Sequence, residues 1–148
     1  MITANEPIRK LELYEILELV GKTKSRKEKI EILRKHESMP LKDYLRCVFD
    51  DAIQLNLPGG KPPFQMCREE SVPSSWSKQH QKLKYFVKGL RVSDDLPAVK
   101  RESMFIGVLE SIHPRDADVV VDMANKKSGA AGLTKKLVQE AFPKLIAQ

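Results

Sequence analysis

The sequence lacks the features that mark secreted, membrane-spanning and disulfide-stapled proteins. Its 148 residues contain only two cysteines, Cys47 and Cys67, which favours a reducing compartment. No stretch approaches the ~18 apolar residues that cross a bilayer, and the N-terminus MITANEPIRK has no apolar signal-peptide segment. We therefore expect a single-domain protein of the cytoplasm that has no membrane partner.

Signatures of catalysis are also missing. The sequence has no Walker loop, no Gly-x-Ser-x-Gly elbow and no Cys-x-x-Cys pair. His36, His80 and His113 lie in different segments without metal-ligand spacing. The adjacent aspartates at 50–51 and 94–95 would diverge by ~100° on a helix. We therefore predict a non-enzymatic protein with no catalytic residue, no metal site and no cofactor.

Strand-like alternation of apolar and polar residues is absent over any useful length, whereas helical periodicity runs through most of the chain. The clearest helical stripe comprises Leu41, Tyr44, Leu45, Val48, Phe49, Ala52 and Ile53. We predict an all-α domain of six to eight helices over residues 1–148. The apolar stripes should meet in one core that contains Leu45, Val48, Phe49, Phe86, Val87, Val108, Leu109, Val120 and Leu137.

Glycine, proline and capping residues predict where the helices begin and end. A first helix over about 7–20 should break at Gly21, and a second over about 26–35 should open at Ser25. A fourth helix should start near residue 75 and end at Gly89, and Pro114 should begin a later one. Pro143 should end the last helix. The proline- and glycine-rich stretch 56–73 should form an irregular surface excursion.

Positive charge is what the chain has in excess, with a formal net charge of +6. Basic side chains concentrate at residues 22–35, 78–91 and 126–136. A single charged run is typical of a solvated face. Three runs on one compact domain indicate a shared anionic partner, provided that folding brings them to one side.

The stretch 126–136 places a glycine-rich turn, residues 128–132, between two pairs of lysines. Glycine lets backbone N–H groups approach an anion, and a following helix adds partial positive charge. Gly-x-Thr-Lys also occurs twice, at 21–24 and 132–135. The alternative interpretation is a helix end followed by a solvated turn. The candidate phosphate-binding residues are Lys126, Lys127, Ser128, Gly129, Gly132, Thr134, Lys135, Lys136, Gly21, Lys22, Thr23, Lys24 and Arg26.

Three stretches, taken in chain order, carry a family resemblance. They are Gly21-Lys22-Thr23-Lys24-Ser25-Arg26 before Ile32-Leu33, then Leu41-Lys42 through Leu55 before Pro58 and Lys61-Pro62, and finally Gly132, Thr134, Phe142, Pro143, Leu145 and Ile146, with Lys127 ahead of them. In this order they resemble the N-terminal, all-helical DNA-binding domain of the ATP-dependent DNA ligases of tailed bacteriophages.

The chain departs from that family in two respects. Residues 129–132 read Gly-Ala-Ala-Gly where the ligases have Leu-x-Ile-Gly, and the nucleotidyltransferase domain with its Lys-x-Asp-Gly motif is absent. The resemblance implies a freestanding phage protein of the host cytoplasm that binds duplex DNA, nicked or intact, across the minor groove without ligating it.

A second hypothesis is a protein-interaction adaptor, or a phage structural or host-takeover factor, in which similar helices serve only as a scaffold. Its contact would be the segment 64–76, from Phe64 through Trp76, because aromatic residues and methionine favour interfaces.

Overall fold

Short capped helices follow one another along the chain. The computed structural model describes residues 11–146, and over that range it contains eight α-helices, one 3-10 helix and no β-strand. The α-helices are α1 (Leu13–Lys22), α2 (Arg26–Lys35), α3 (Met39–Phe49), α4 (Trp76–Gln79), α5 (Arg91–Asp94), α6 (Ala98–Ser111), α7 (Pro114–Ala124) and α8 (Lys135–Ala141), and the 3-10 helix His80–Tyr85 follows α4. The predicted all-α class is confirmed. Among the described helices, none combines the length and apolar character needed to cross a membrane.

Hydroxyl side chains fix the starts of several helices. Ser25, Ser38, Ser75 and Thr134 occupy N-cap positions, and each side-chain oxygen accepts a hydrogen bond from the backbone N–H three residues later. Helix α2 therefore begins where its sequence predicted. Pro114 opens α7 as predicted, because its missing N–H costs nothing in the first turn.

Two predicted boundaries were wrong, and a third cannot be compared with the structure. Helix α1 continues through Gly21 to Lys22, and Thr23 ends it. Helix α3 stops at Phe49, because the Asp50 carboxylate accepts the N–H of Ala52 and turns the chain away. The predicted start of the first helix, near residue 7, lies outside the described residues.

The predicted fourth helix is instead split into α4 and the 3-10 helix. The chain then leaves helical geometry because Val87 pairs with Leu55 in an antiparallel bridge. The N–H of Lys88 donates to the carbonyl of Gln54 at 2.7 Å on one side of this bridge. Gly89, with φ +97°, turns the chain into α5, which the sequence did not predict.

The core is formed by the apolar stripes of α1, α3, α6, α7 and α8, which pack together. Of the nine predicted core residues, seven are buried: Leu45, Val48, Phe86, Val108, Leu109, Val120 and Leu137. Phe49 and Val87 are only partly buried, because each lies next to a point where its helix ends.

The irregular surface segment that the sequence predicts over 56–73 extends over residues 50–75. Several hydrogen bonds attach it to the rest of the fold. The Asn125 side chain accepts the N–H of Gly60 at 2.8 Å and donates to the carbonyl of the same residue at 3.0 Å. Trp76 is buried, and its Nε1–H donates to the Pro40 carbonyl. The prediction of an exposed interaction segment at 64–76 is therefore wrong at its largest aromatic residue.

Candidate nucleic-acid interface

The fold brings the two Gly-x-Thr-Lys segments together. A Cβ atom on Gly21 would lie 3.6 Å from the backbone nitrogen of Ala131. Between them, the buried Lys29 of α2 donates its ammonium to the Val20 carbonyl at 2.6 Å and to the Ala131 carbonyl at 3.4 Å. We call the surroundings of this contact, residues 20–29 and 126–136, the basic end.

The two segments have the same sequence pattern but different conformations. Thr23 caps the end of α1, and its hydroxyl donates to the Leu19 carbonyl at 2.7 Å. Thr134 caps the start of α8, and its hydroxyl accepts the N–H of Leu137. The repeated pattern suggests that both segments open helices, but only the second does so. Ser25 supplies the helix opening after the first.

Gly129 is required for close packing. Its N–H donates to the Tyr44 hydroxyl at 2.9 Å, and a Cβ atom there would lie 3.1 Å from Leu17 Cδ1. Burial raises the pKa of Tyr44 to about 12, so the hydroxyl stays neutral. The Ser128 hydroxyl bonds to both the N–H and the carbonyl of Ala130 at 3.2 Å. The Gly129 N–H is thus occupied by Tyr44, which makes it a poor candidate for a phosphate contact.

Lys126 also forms its contacts within the fold. It follows α7 with φ +60°, and the N–H groups of residues 126 and 127 return to the carbonyls of Met123 and Asp122, which is a Schellman motif. Its ammonium donates to the carbonyls of Cys47 and Asp50 at 2.8 Å each, at the end of α3. Lys126 is therefore a poor candidate for phosphate binding.

Two further candidates are paired with carboxylates that are distant in sequence. The Arg26 guanidinium contacts both carboxylate oxygens of Glu140, at 2.8 and 3.3 Å, and this hydrogen bond holds the pKa of Glu140 below its ordinary value. Lys135 lies 3.4 Å from Asp51. Both pairs are solvent-exposed, so each contributes little to stability and can exchange for another anion.

Four candidates keep exposed ammonium groups that form no ion pair within residues 11–146: Lys22, Lys24, Lys127 and Lys136. Gly132, with φ +75°, is exposed, and a Cβ atom there would lie 3.1 Å from the end of the Lys29 side chain. Lys127 also lines a cleft of about 470 Å³, whose other charged lining residues are Lys61, Asp118 and Asp122. These four lysines are the part of the predicted site that remains available to a partner.

Sequence reasoning missed two basic residues that shape this end. Lys29 shares the buried face of α2 with Leu33, and a lysine on an apolar stripe was the available signal. Arg34 donates to the carbonyls of Glu140 and Ala141, at 2.9 and 3.1 Å, and so caps the end of α8. Both residues neutralise backbone carbonyls at helix ends.

Residues 16–129 match the model of a protein family described as a family of unknown function, DUF6433. The match runs from α1 to the first glycine of the turn and covers more than half of the chain. A search of curated proteins finds no match. On the extent of the family match, the chain belongs to the DUF6433 family.

Proposed function

We propose that this protein is a non-enzymatic module that binds the backbone of duplex DNA, with little sequence preference, through the basic end. The observation that carries the proposal is the contact between the two Gly-x-Thr-Lys segments, with unpaired lysines on the first segment and beside the second. These are Lys22 and Lys24 on the first segment and Lys127 and Lys136 beside the second. Lysines of this kind bind phosphates without reading bases.

The internal lysines support the same proposal. Helices α1 and α3 both end at or beside the basic end, where their partial negative charge would oppose a polyanion. Lys29 donates to a carbonyl in the last turn of α1, and Lys126 donates to two carbonyls at the end of α3. The helix ends are thereby neutralised, and the exposed lysines remain for the ligand.

The resemblance to phage ligase DNA-binding domains supports the choice of duplex DNA and a role in phage DNA metabolism. The chain has no Lys-x-Asp-Gly adenylation motif, so we propose binding without ligation. Incubation with labelled ATP should leave no phosphoramidate-linked adenylate on the protein. A labelled adduct would replace the binding module with a divergent enzyme.

The direct test is fluorescence anisotropy with a labelled duplex over a range of KCl concentrations. The test variant combines Lys22→Ala, Lys24→Ala, Lys127→Ala and Lys136→Ala. If each lysine meets one phosphate, the slope of log K against log salt should fall in magnitude by about 0.9 per contact, up to ~3.6. A control with the same charge change combines Lys78→Ala, Lys82→Ala, Lys88→Ala and Lys100→Ala, all at exposed positions elsewhere.

The proposal fails if the wild-type protein shows no salt-dependent DNA binding, or if the control variant loses as much DNA affinity as the test variant.

A variant that replaces the four lysines flanking the turn, at 126, 127, 135 and 136, would be harder to interpret. That variant would also lose the contacts of Lys126 with the end of α3, so its stability should fall as well as its binding. Only Lys127 and Lys136 lack internal partners in that set, so its slope change should be nearer ~1.8.

A second candidate function is that of a protein-interaction adaptor. It is favoured by exposed apolar side chains close together in the chain: Leu90, Val92 and Val99 are 44, 49 and 77% exposed. This surface replaces the segment 64–76 expected from the sequence. Val92→Ser with Val99→Ser should abolish any association detected by sedimentation while leaving DNA binding intact. Unchanged association would reject the surface.

A further inference from the structure

A second cleft, of about 210 Å³, lies between α3 and the 3-10 helix, outside the lysines proposed to contact DNA. Its lining combines apolar and basic side chains. The apolar residues are Ile53, Leu83 and Val87, and the basic ones are Arg46, His80 and Lys84. Asp43 is the one carboxylate among the lining residues.

The His80 ring is held in place by that carboxylate. Its Nδ1 lies 2.6 Å from Asp43 Oδ2, and the residue is 8% exposed. A carboxylate accepts a hydrogen bond, so Nδ1 carries a proton and the ring orientation is set. The second ring nitrogen, Nε2, forms no hydrogen bond with any residue from 11 to 146, and the ring lines the cleft. His80 thus offers a fixed polar atom to a ligand.

The remaining charges in the cleft are positive. Arg46 and Lys84 are exposed and form no ion pair in the described part of the chain. The Lys84 ammonium lies 5.2 Å from the centre of the Tyr85 ring, a contact weak enough to be exchanged for an anion. Burial raises the pKa of the Cys47 thiol to about 12, so this lining residue is neutral and inert.

We propose that this cleft binds a phosphomonoester group. Arg46 and Lys84 supply the countercharge for the dianion, and Arg46 can present two N–H groups to it. With both ring nitrogens of His80 protonated, Nδ1–H is donated to Asp43 and Nε2–H to a phosphate oxygen. The apolar lining residues accommodate the group attached to the phosphate. Such a group occurs on the 5′ end of a nucleic-acid strand and on small phosphorylated compounds.

This inference does not depend on DNA binding at the basic end. The test is a backbone amide NMR titration at constant ionic strength with three probes: inorganic phosphate, a short 5′-phosphorylated oligonucleotide and the same oligonucleotide with a 5′-hydroxyl. With inorganic phosphate, saturable shifts should be confined to residues 43–53 and 80–87, and the shifts caused by the two oligonucleotides should differ from each other only there. Combining Arg46→Gln with Lys84→Gln should weaken phosphate binding by about tenfold or more.

The matched control combines Lys78→Gln with Lys82→Gln, two exposed lysines of the same segment that do not line the cleft, and should bind phosphate within about twofold of wild type. His80→Gln should also weaken binding, since its side chain cannot reproduce the imidazole ring that Asp43 holds in place. A preference for the 5′-phosphorylated oligonucleotide over both other probes would assign the site to strand ends, and equal affinity for inorganic phosphate would assign it to small compounds.

The proposal is overturned if no saturable shift appears by about 10 mM phosphate, a concentration at which even millimolar sites fill. It is also overturned if the variant with Arg46→Gln and Lys84→Gln binds phosphate as tightly as wild type does, or if the matched control loses as much phosphate affinity as that variant. The variant lacking Lys22, Lys24, Lys127 and Lys136 should retain phosphate binding in the cleft, which separates this site from the basic end.

Discussion

The two ends of helix α1 are both held by buried ionisable side chains from other helices. At the start, Asp116 of α7 accepts the N–H of Tyr14 at 2.8 Å. At the other end, Lys29 of α2 donates to the Val20 carbonyl at 2.6 Å. In each case the sign of the side chain opposes the partial charge of the helix end, which favours the contact.

The surroundings of the two groups differ. Asp116 shares the start of α1 with Glu12 and Glu15, which form a capping box, and its second oxygen has no partner within the described residues. Burial, and then these neighbouring carboxylates, raise the pKa of Asp116 to about 7. Lys29 instead meets two carbonyl oxygens. A helix end therefore accommodates a buried charge well only where no like charge competes for it.

The largest expected effect is at the lysine end. Lys29→Met keeps the length of the side chain and removes its ammonium, so the buried Val20 carbonyl and the Ala131 carbonyl both lose this donor. We expect a loss of about 2–3 kcal/mol in the free energy of unfolding, measured by urea denaturation. Lys27→Met, at an exposed position of the same helix, should change it by less than about 0.5 kcal/mol. Equal losses at the two positions would show that the ammonium contacts of Lys29 contribute nothing to the free energy of unfolding.

The aspartate end should make stability depend on pH. Because the pKa of Asp116 rises from the ordinary 3.8 to about 7 on folding, the folded state holds a proton that the unfolded state has lost. Stability should therefore fall as the pH rises from 5 to 8, by on the order of 2 kcal/mol, and then level off. Urea denaturation across this range measures it.

Asp116→Asn is the matched variant for that prediction. Asparagine keeps an oxygen for the N–H of Tyr14 but carries no charge, so it should flatten the decline between pH 5 and 8. Carboxylates with lowered pKa values, such as Glu140 and Asp94, act at lower pH and should be unaffected. A variant with the wild-type slope would place the pH dependence on another group.

A smaller loss of stability is expected at Gly132, the glycine of the second Gly-x-Thr-Lys segment. Gly132→Ala forces an alanine to φ +75° and brings its Cβ to 3.1 Å from the tethered end of Lys29. We expect a loss of about 1–2 kcal/mol, because the left-handed conformation disfavours side chains. The shift in thermal midpoint measures this, and an unchanged midpoint would mean that the turn rearranges freely.

The smallest effect should have the opposite sign. Gly21 is helical, and a Cβ there would meet the Ala131 nitrogen at an ordinary 3.6 Å. Gly21→Ala should therefore stabilise the protein by up to about 1 kcal/mol through helix propensity. If Gly21→Ala instead destabilised the protein as much as Gly132→Ala does, both segments would need glycine for the same reason, although their conformations differ.

The sequence predicts what depends on neighbours in the chain. The bounds of α2 follow from Ser25 and the local pattern, and the start of α7 follows from Pro114. The errors at the candidate site arise from distant partners. The carbonyls that take the Lys126 ammonium and the hydroxyl that takes the Gly129 N–H belong to α3 or its cap, 76 to 85 residues away in sequence. No periodicity or motif at residues 126–132 records those contacts.

Lys126 shows how such a contact would mislead protein engineering. Glycine is the usual residue at the left-handed position after a helix, so a design method that scores local conformation would choose Lys126→Gly as an improvement. The substitution would relieve the backbone and at the same time free two carbonyls at the end of α3. At this position a locally unfavourable residue is the one that joins α7 to α3.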